Sequence, residues 1–118
     1  MNTGIVASRY AKALLRFAED NKEEAWVYQE MLQLHRSFQQ VNTLTATLLN
    51  PIFSNEKKVK LLTAASLSPE CKEASTSTRR FLQLVVEKKR TEIMPFIATS
   101  FVHQYEQAKQ ITRAEVIV

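Results

Sequence analysis

An all-α bundle of six helices is the fold this sequence predicts, and three observations predict it. Gly4 is the only glycine and the three prolines stand at positions 51, 69 and 95, so long stretches hold nothing that breaks a helix and little that builds a tight hairpin. Apolar residues recur at spacings of three and four through most of the chain. At 118 residues the chain is long enough for one core and too short for two full-sized domains. Hydrophobic residues at 45% and charged residues at 24% are ordinary globular values, which leaves neither disorder nor a fibrous repeat as a starting point.

The first helix covers residues 5–20. Ser8, Arg9, Lys12, Arg16 and Glu19 share a polar stripe, while Val6, Tyr10, Ala13, Phe17 and Ala7, Ala11, Leu14, Ala18 form two adjoining apolar rows. A surface helix needs an apolar stripe of only about 100°. The surplus therefore fits either a helix central to the bundle or one buried on two sides, against its own core and against a partner. Residues 1–18 carry three cations and no acid, as a mitochondrial presequence does, but they run on into Glu19-Asp20 and further helical pattern, which favours a folded helix.

A second helix runs from about Lys22 to Gln40 on a core stripe of Val27, Met31, Leu34, Phe38 and Val41, with Trp26 and Tyr28 flanking it as packing residues with polar tips. Asn42 caps a short third helix over Leu44 to Leu49, which stops at Asn50-Pro51 because the residue before proline avoids the helical region. Ser54 or Asn55 caps a fourth that carries Val59, Leu61, Leu62, Ala64 and Ala65, and Pro69 separates it from the next segment. The fifth segment, roughly Glu70 to Arg90, opens with the weakly helical Ser75-Thr76-Ser77-Thr78 and then crowds Phe81, Leu82, Leu84, Val85 and Val86 together. A short buried strand is the alternative there. Length, the lack of glycine and the cations Lys88-Lys89-Arg90 at its C-terminal end favour a helix, whose apolar arc is too wide for one contact. Thr91 caps a sixth helix with Pro95 in its first turn and Met94, Ile97, Phe101, Tyr105 and Ala108 along the buried face, ending near Gln110. Residues 111–118 turn β-prone and predict a short strand-like segment.

The same residues exclude several functions. One glycine cannot build a P-loop or a dinucleotide-binding turn. The longest apolar runs, such as Leu84-Val85-Val86, fall far short of the roughly 18 residues that suggest a membrane span. Cys71 is alone, so no intramolecular disulfide forms, which suits a reducing compartment. The excess of 16 basic over 12 acidic residues is mild and spread out, with Lys88-Lys89-Arg90 the one evident cluster. Glu19-Asp20 and Glu23-Glu24 are adjacent pairs that diverge on a helix and suit solvent or a helix N-terminus better than catalysis. Nothing in the spacing sets His35 or His103 beside the Cys71 thiol. No catalytic, metal or cofactor site emerges.

Several strings in order resemble a known family. They are Arg9-Tyr10-Ala11-Lys12-Ala13-Leu14 in the first helix, Val27-Tyr28-Gln29-Glu30-Met31 in the second and Leu48-Leu49-Asn50-Pro51 closing the third. Lys58 and Leu61-Leu62 come next, then Phe81-Leu82-Gln83-Leu84-Val85-Val86-Glu87 with Arg90, then Phe101 and Tyr105, and the exit Ile111 to Val118. Over the whole chain these are similar to the delta subunits of the F-type ATP synthase, relatives of the mitochondrial oligomycin-sensitivity-conferring protein. The first string is fairly specific; the others gain weight from their order. One departure is Lys89, where relatives often have a glycine before the arginine, so the usual left-handed helix cap is expected to be missing.

The resemblance implies an N-terminal six-helix domain over residues 1–110, with 111–118 beginning the linker or strand into a C-terminal domain that this chain lacks. It also implies a non-catalytic stator subunit on the cytoplasmic side of a bacterial inner membrane, reaching the membrane only through the complex. The N-terminal domain would hold the N-terminal helix of an alpha subunit in a groove between helices one and five, and the C-terminal domain would contact the b subunits. Together they would keep the head from turning with the rotor during ATP synthesis driven by ion flow. Carried over by position, Tyr10, Ala13, Leu14 and Phe17 line one wall and Phe81, Leu84, Val85 and Lys88 the other. The two helices with surplus apolar surface are the two assigned to this groove. The alternative, from a pI near 9.4 and the triplet at 88–90, is a helical nucleic-acid-binding module.

Overall fold

The computed structural model describes residues 3–40, 43–67 and 73–117, and side chains as far as Lys109. The predicted helices form in the predicted order: α1 (Thr3–Asp20), α2 (Glu24–Gln40), α3 (Thr43–Leu49), α4 (Asn55–Ser66), α5 (Thr76–Glu87) and α6 (Met94–Ile117), with a 3-10 turn at Thr91–Ile93 before α6. α1 and α2 both pack along α6, and α4 lies against α2 and α5, which leaves α5 beside α1. One continuous core runs through all six helices.

The two rows of α1 part company in the structure. Ala7, Ala11, Leu14 and Ala18 are each at most 1% exposed, whereas Val6, Tyr10 and Phe17 are half-buried and Ala13 is exposed. Three alanines in the inner row let the backbone come close to its neighbours, and the Gln104 Nε2 of α6 donates to the Ser8 carbonyl of α1 at 3.1 Å. On α2, Val27, Met31 and Leu34 are buried and Phe38 half-buried, as the stripe predicts; Val41 and the expected cap Asn42 lie outside the described residues, as do Pro69 and Cys71. Tyr28 stacks on Tyr105 with ring centroids 4.2 Å apart and donates its hydroxyl proton to Glu106 Oε2 at 2.7 Å. Donation to that carboxylate holds the phenol above its ordinary pKa.

Four expectations are corrected. Residues 111–117 are not a strand: α6 continues through Ile117. Each residue added to an existing helix gains a hydrogen bond without a new nucleation cost, and after Pro95 there is neither proline nor glycine to stop it. Near that end Ala108 is exposed instead of facing the core. Second, Thr91 opens the 3-10 turn and is not the cap of α6, although Pro95 does lie in the first turn of that helix.

The third correction is at the start of α5, which begins at Thr76 and not near Glu70. The Ser75 hydroxyl caps it by accepting from the Thr78 N–H at 3.2 Å, so the weakly helical serine-threonine run forms the cap and first turn. The fourth is at its end, where Lys89 does adopt the left-handed conformation, with φ 57°. Lys89 N–H bonds the Val86 carbonyl and Arg90 N–H bonds that of Val85, the paired bonds of a Schellman cap without glycine. Lys22, with φ 58°, ends α1 the same way: its N–H bonds Glu19 and that of Glu23 bonds Ala18. Ser54 caps α4, its hydroxyl accepting from Lys57 N–H.

Candidate functional site

Between the outer row of α1 and the exposed side of α5 runs an apolar trough of about 450 Å³. Six of the eight residues singled out from the sequence line it: Tyr10, Ala13, Leu14 and Phe17 from α1, Phe81 and Leu84 from α5. Tyr10 meets Phe81 edge to face, centroids 6.3 Å apart and planes at 70°, which braces the trough across its width. Leu84 is 42% exposed although every other apolar residue of the 81–86 run is buried. The remaining two lie elsewhere. Val85 is fully buried in the core, one position round the helix from Leu84, and Lys88 is the exposed C-cap residue of α5 rather than part of the wall.

Two lining residues escaped the sequence reading, Arg9 and Arg80. Each stands one helical turn before a residue that was chosen, Arg9 before Ala13 and Arg80 before Leu84, so i,i+4 spacing was the signal available. A second trough of about 480 Å³ extends over α1 and is lined by Lys12, Arg16 and Asp20 together with Arg9, Ala13 and Phe17. Three cations of the polar stripe of α1, Arg9, Lys12 and Arg16, therefore stand beside the apolar trough.

The position of the α5 wall is set by two carboxylates of the α1–α2 region. Glu30, 2% exposed, accepts from Ser75 N–H at 2.8 Å, Ser75 Oγ at 2.6 Å and Thr78 Oγ1 at 2.7 Å. Glu23 accepts from Ser77 N–H at 3.0 Å and Ser77 Oγ at 2.6 Å, and Asn21 Nδ2 donates to the same hydroxyl oxygen at 2.9 Å. The Ser77 hydroxyl bond, assisted by backbone N–H groups of the helix N-terminus, holds the Glu23 carboxyl below its usual pKa. Both acids thus close orphan donors of a helix that begins about fifty residues later in the chain. An acid at a helix N-terminus was foreseen for the Glu23-Glu24 pair, but not that the helix would be α5.

Among the described residues nothing assembles catalytic chemistry. His35 Nδ1 lies 3.1 Å from Thr99 Oγ1 and His103 is exposed on α6; neither can be related to Cys71, which is outside the described residues. Among the described residues no three of His, Cys, Asp and Glu converge as metal ligands, and no helix is long and apolar enough to cross a membrane.

Comparison with known proteins gives a consistent result. Residues 6–118 match the family model described as ATP synthase delta (OSCP) subunit. A protein of Parabacteroides distasonis named ATP synthase subunit delta is 44% identical over 113 residues, which is 96% of this chain and 61% of that protein. Proteins of the same name from Phocaeicola vulgatus and Bacteroides fragilis are 33% and 32% identical, over 98% and 99% of this chain and 61% and 62% of their own lengths. The chain therefore spans about three fifths of the length of the curated relatives it matches.

Proposed function

The chain belongs to the ATP synthase delta (OSCP) subunit family, and on that premise we propose that it acts without catalysis in the peripheral stalk of a rotary ATP synthase, seating the N-terminal helix of an alpha subunit in the α1–α5 trough. The observation that carries the reading is the trough itself: an apolar trough between two helices, with Leu84 exposed and Phe17 half-buried along it. Such a channel suits an amphipathic helix laid in by its apolar face. Exposed Ala13 lets the guest backbone approach, and each large apolar side chain buried on both partners contributes about 1.5–3 kcal/mol before association costs. A complex in the micromolar range or tighter is the expected result.

On this reading residues 1–110 are the head-binding unit, and the remaining length of the relatives supplies contacts to the b subunits. The assembly then resists rotation of the head at the cytoplasmic face of the membrane, which this chain reaches only through the complex. The nucleic-acid alternative is weaker, because Phe81 is buried with Tyr10 set edge to face against it, and the exposed apolar residues of the trough, Ala13 and Leu84, carry no ring on which a base stacks.

Titration of the 118-residue chain with a synthetic peptide of the cognate alpha-subunit N-terminus, monitored by heat and by induced peptide helicity, tests the proposal. Saturable one-to-one binding is expected. Ala13→Asp, at an exposed position, should abolish it while leaving the circular dichroism and melting of the domain unchanged. Unaltered affinity in that folded variant would falsify the groove assignment.

A further inference from the structure

We propose that the occupant of the α1–α5 trough is an acid-flanked amphipathic helix, bearing carboxylates on both sides of its apolar stripe and more of them on the side facing α1. This rests on the groove reading above and adds the chemistry of the partner. The two adjoining troughs are bordered by Arg9, Lys12 and Arg16 on α1 and by Arg80 on α5, with Asp20 their one carboxylate. Four cations against one acid leave an excess of three, most of the chain's formal net charge of +4. All four cations are exposed, and none of them forms an ion pair with a carboxylate among the described residues, unlike Lys60, which pairs with Glu56 on α4 at 3.6 Å.

This distribution discriminates between guests. Like charges repel along a row of this kind, and unlike charges orient an incoming helix and raise its association rate, more strongly at low salt. Acids facing Arg9, Lys12 and Arg16 on one side and Arg80 on the other fix the rotation of the guest about its axis, which a plain apolar trough cannot. A second copy of this chain is a poor occupant, since its own outer α1 face carries the same cations. A nucleic-acid strand would meet the charge but leave the aliphatic part of the floor, Ala13 and Leu84 included, without a complementary surface.

The experiment uses three designed helical peptides of about 20 residues that share one Leu/Ile stripe and differ only at the flanking positions, which are Glu, Gln or Lys. The expected order of affinity is Glu over Gln over Lys, with at least about tenfold between the extremes at low salt and most of that gap closed at about 0.5 M salt. Arg9→Glu with Arg80→Glu should reverse the preference between the Glu and Lys peptides, with circular dichroism and melting of the variant showing that the domain is still folded; an unreversed preference in the folded variant overturns the charge inference. Binding of all three with equal affinity overturns the charge inference and leaves the groove reading standing. Failure of all three, from a folded chain, removes the groove reading itself. Displacement of the Glu peptide by single-stranded DNA at equal charge concentration, or a salt-sensitive dimer of the chain that blocks the peptide, also overturns the proposal.

Discussion

The two apolar rows of α1 differ by one step around the same helix, yet they do different work. The inner row, Ala7, Ala11, Leu14 and Ala18, is closed to solvent, and the outer row, Val6, Tyr10, Ala13 and Phe17, is partly or wholly open. Both are equally apolar in sequence. The inner row is consumed by folding because α2, α5 and α6 cover it, whereas the outer row borders a trough whose other wall stops at Leu84. Apolar character alone is therefore not a measure of contribution to stability; what matters is whether the fold supplies a covering neighbour.

The sharpest way to break this comparison is to place the same charge in each row. Ala11→Asp buries an uncompensated carboxylate and should cost more than about 3 kcal/mol, enough to unfold much of the population in a urea titration. Ala13→Asp in the same titration should move the midpoint little, by less than about 0.5 kcal/mol. Equal losses would mean that the outer row is also part of the core.

Next in size is the anchor of the trough's far wall. Glu30→Ala leaves Ser75 N–H, Ser75 Oγ and Thr78 Oγ1 without their acceptor in a buried place and should cost about 3 kcal/mol. Faster amide exchange at the start of α5 than in α1 would locate the damage there, whereas uniform loss of protection would argue against a local anchor.

Glu23 gives a smaller effect with a sign that can be checked. Its folded-state pKa is depressed, so its contribution is fully present above the unfolded value, about 4.3, and is lost as pH falls through the folded value. Glu23→Gln should therefore melt below the parent near neutral pH, and the gap should close under acid, below about pH 4. A gap that persists unchanged at low pH would show that packing, not charge, is responsible.

The smallest effect tests the caps. Lys89→Gly removes the Cβ strain of a left-handed residue, offset in part by the extra freedom of glycine in the unfolded chain, and should stabilise the domain by about 0.5–1 kcal/mol. Differential scanning calorimetry would resolve the rise in melting temperature, and peptide binding should stay as it was because Lys89 does not line the trough.

Part of the trough's lining was legible because helical periodicity projects directly onto faces. The 3.6-residue repeat placed Tyr10, Ala13 and Phe17 in one apolar row and Leu14 in the adjoining one, and only the family resemblance joined Leu14 to them and set Phe81 and Leu84 opposite. The resemblance also named Val85, which the core covers; an apolar arc shows that a helix is covered on a broad side but not where the cover ends. Arg9 and Arg80 were overlooked because a long cationic side chain beside an apolar stripe reads as solvated until both walls are in place. The lysine in a left-handed cap contradicted a residue preference: the cost of a Cβ there is small beside the two backbone bonds that the turn completes.

By itself the sequence determined the number and order of the helices, the absence of glycine-rich phosphate loops and the surplus of apolar surface on α1 and α5, because each of these is set by residues within a few positions of one another. Only the tertiary structure decided that Glu30 and Glu23 close the N-terminus of α5, and that Arg80 of α5 borders the same trough as Arg9 of α1. Both depend on residues far apart in the chain, 45 or more positions for the carboxylates, and no local pattern carries a signal for such contacts.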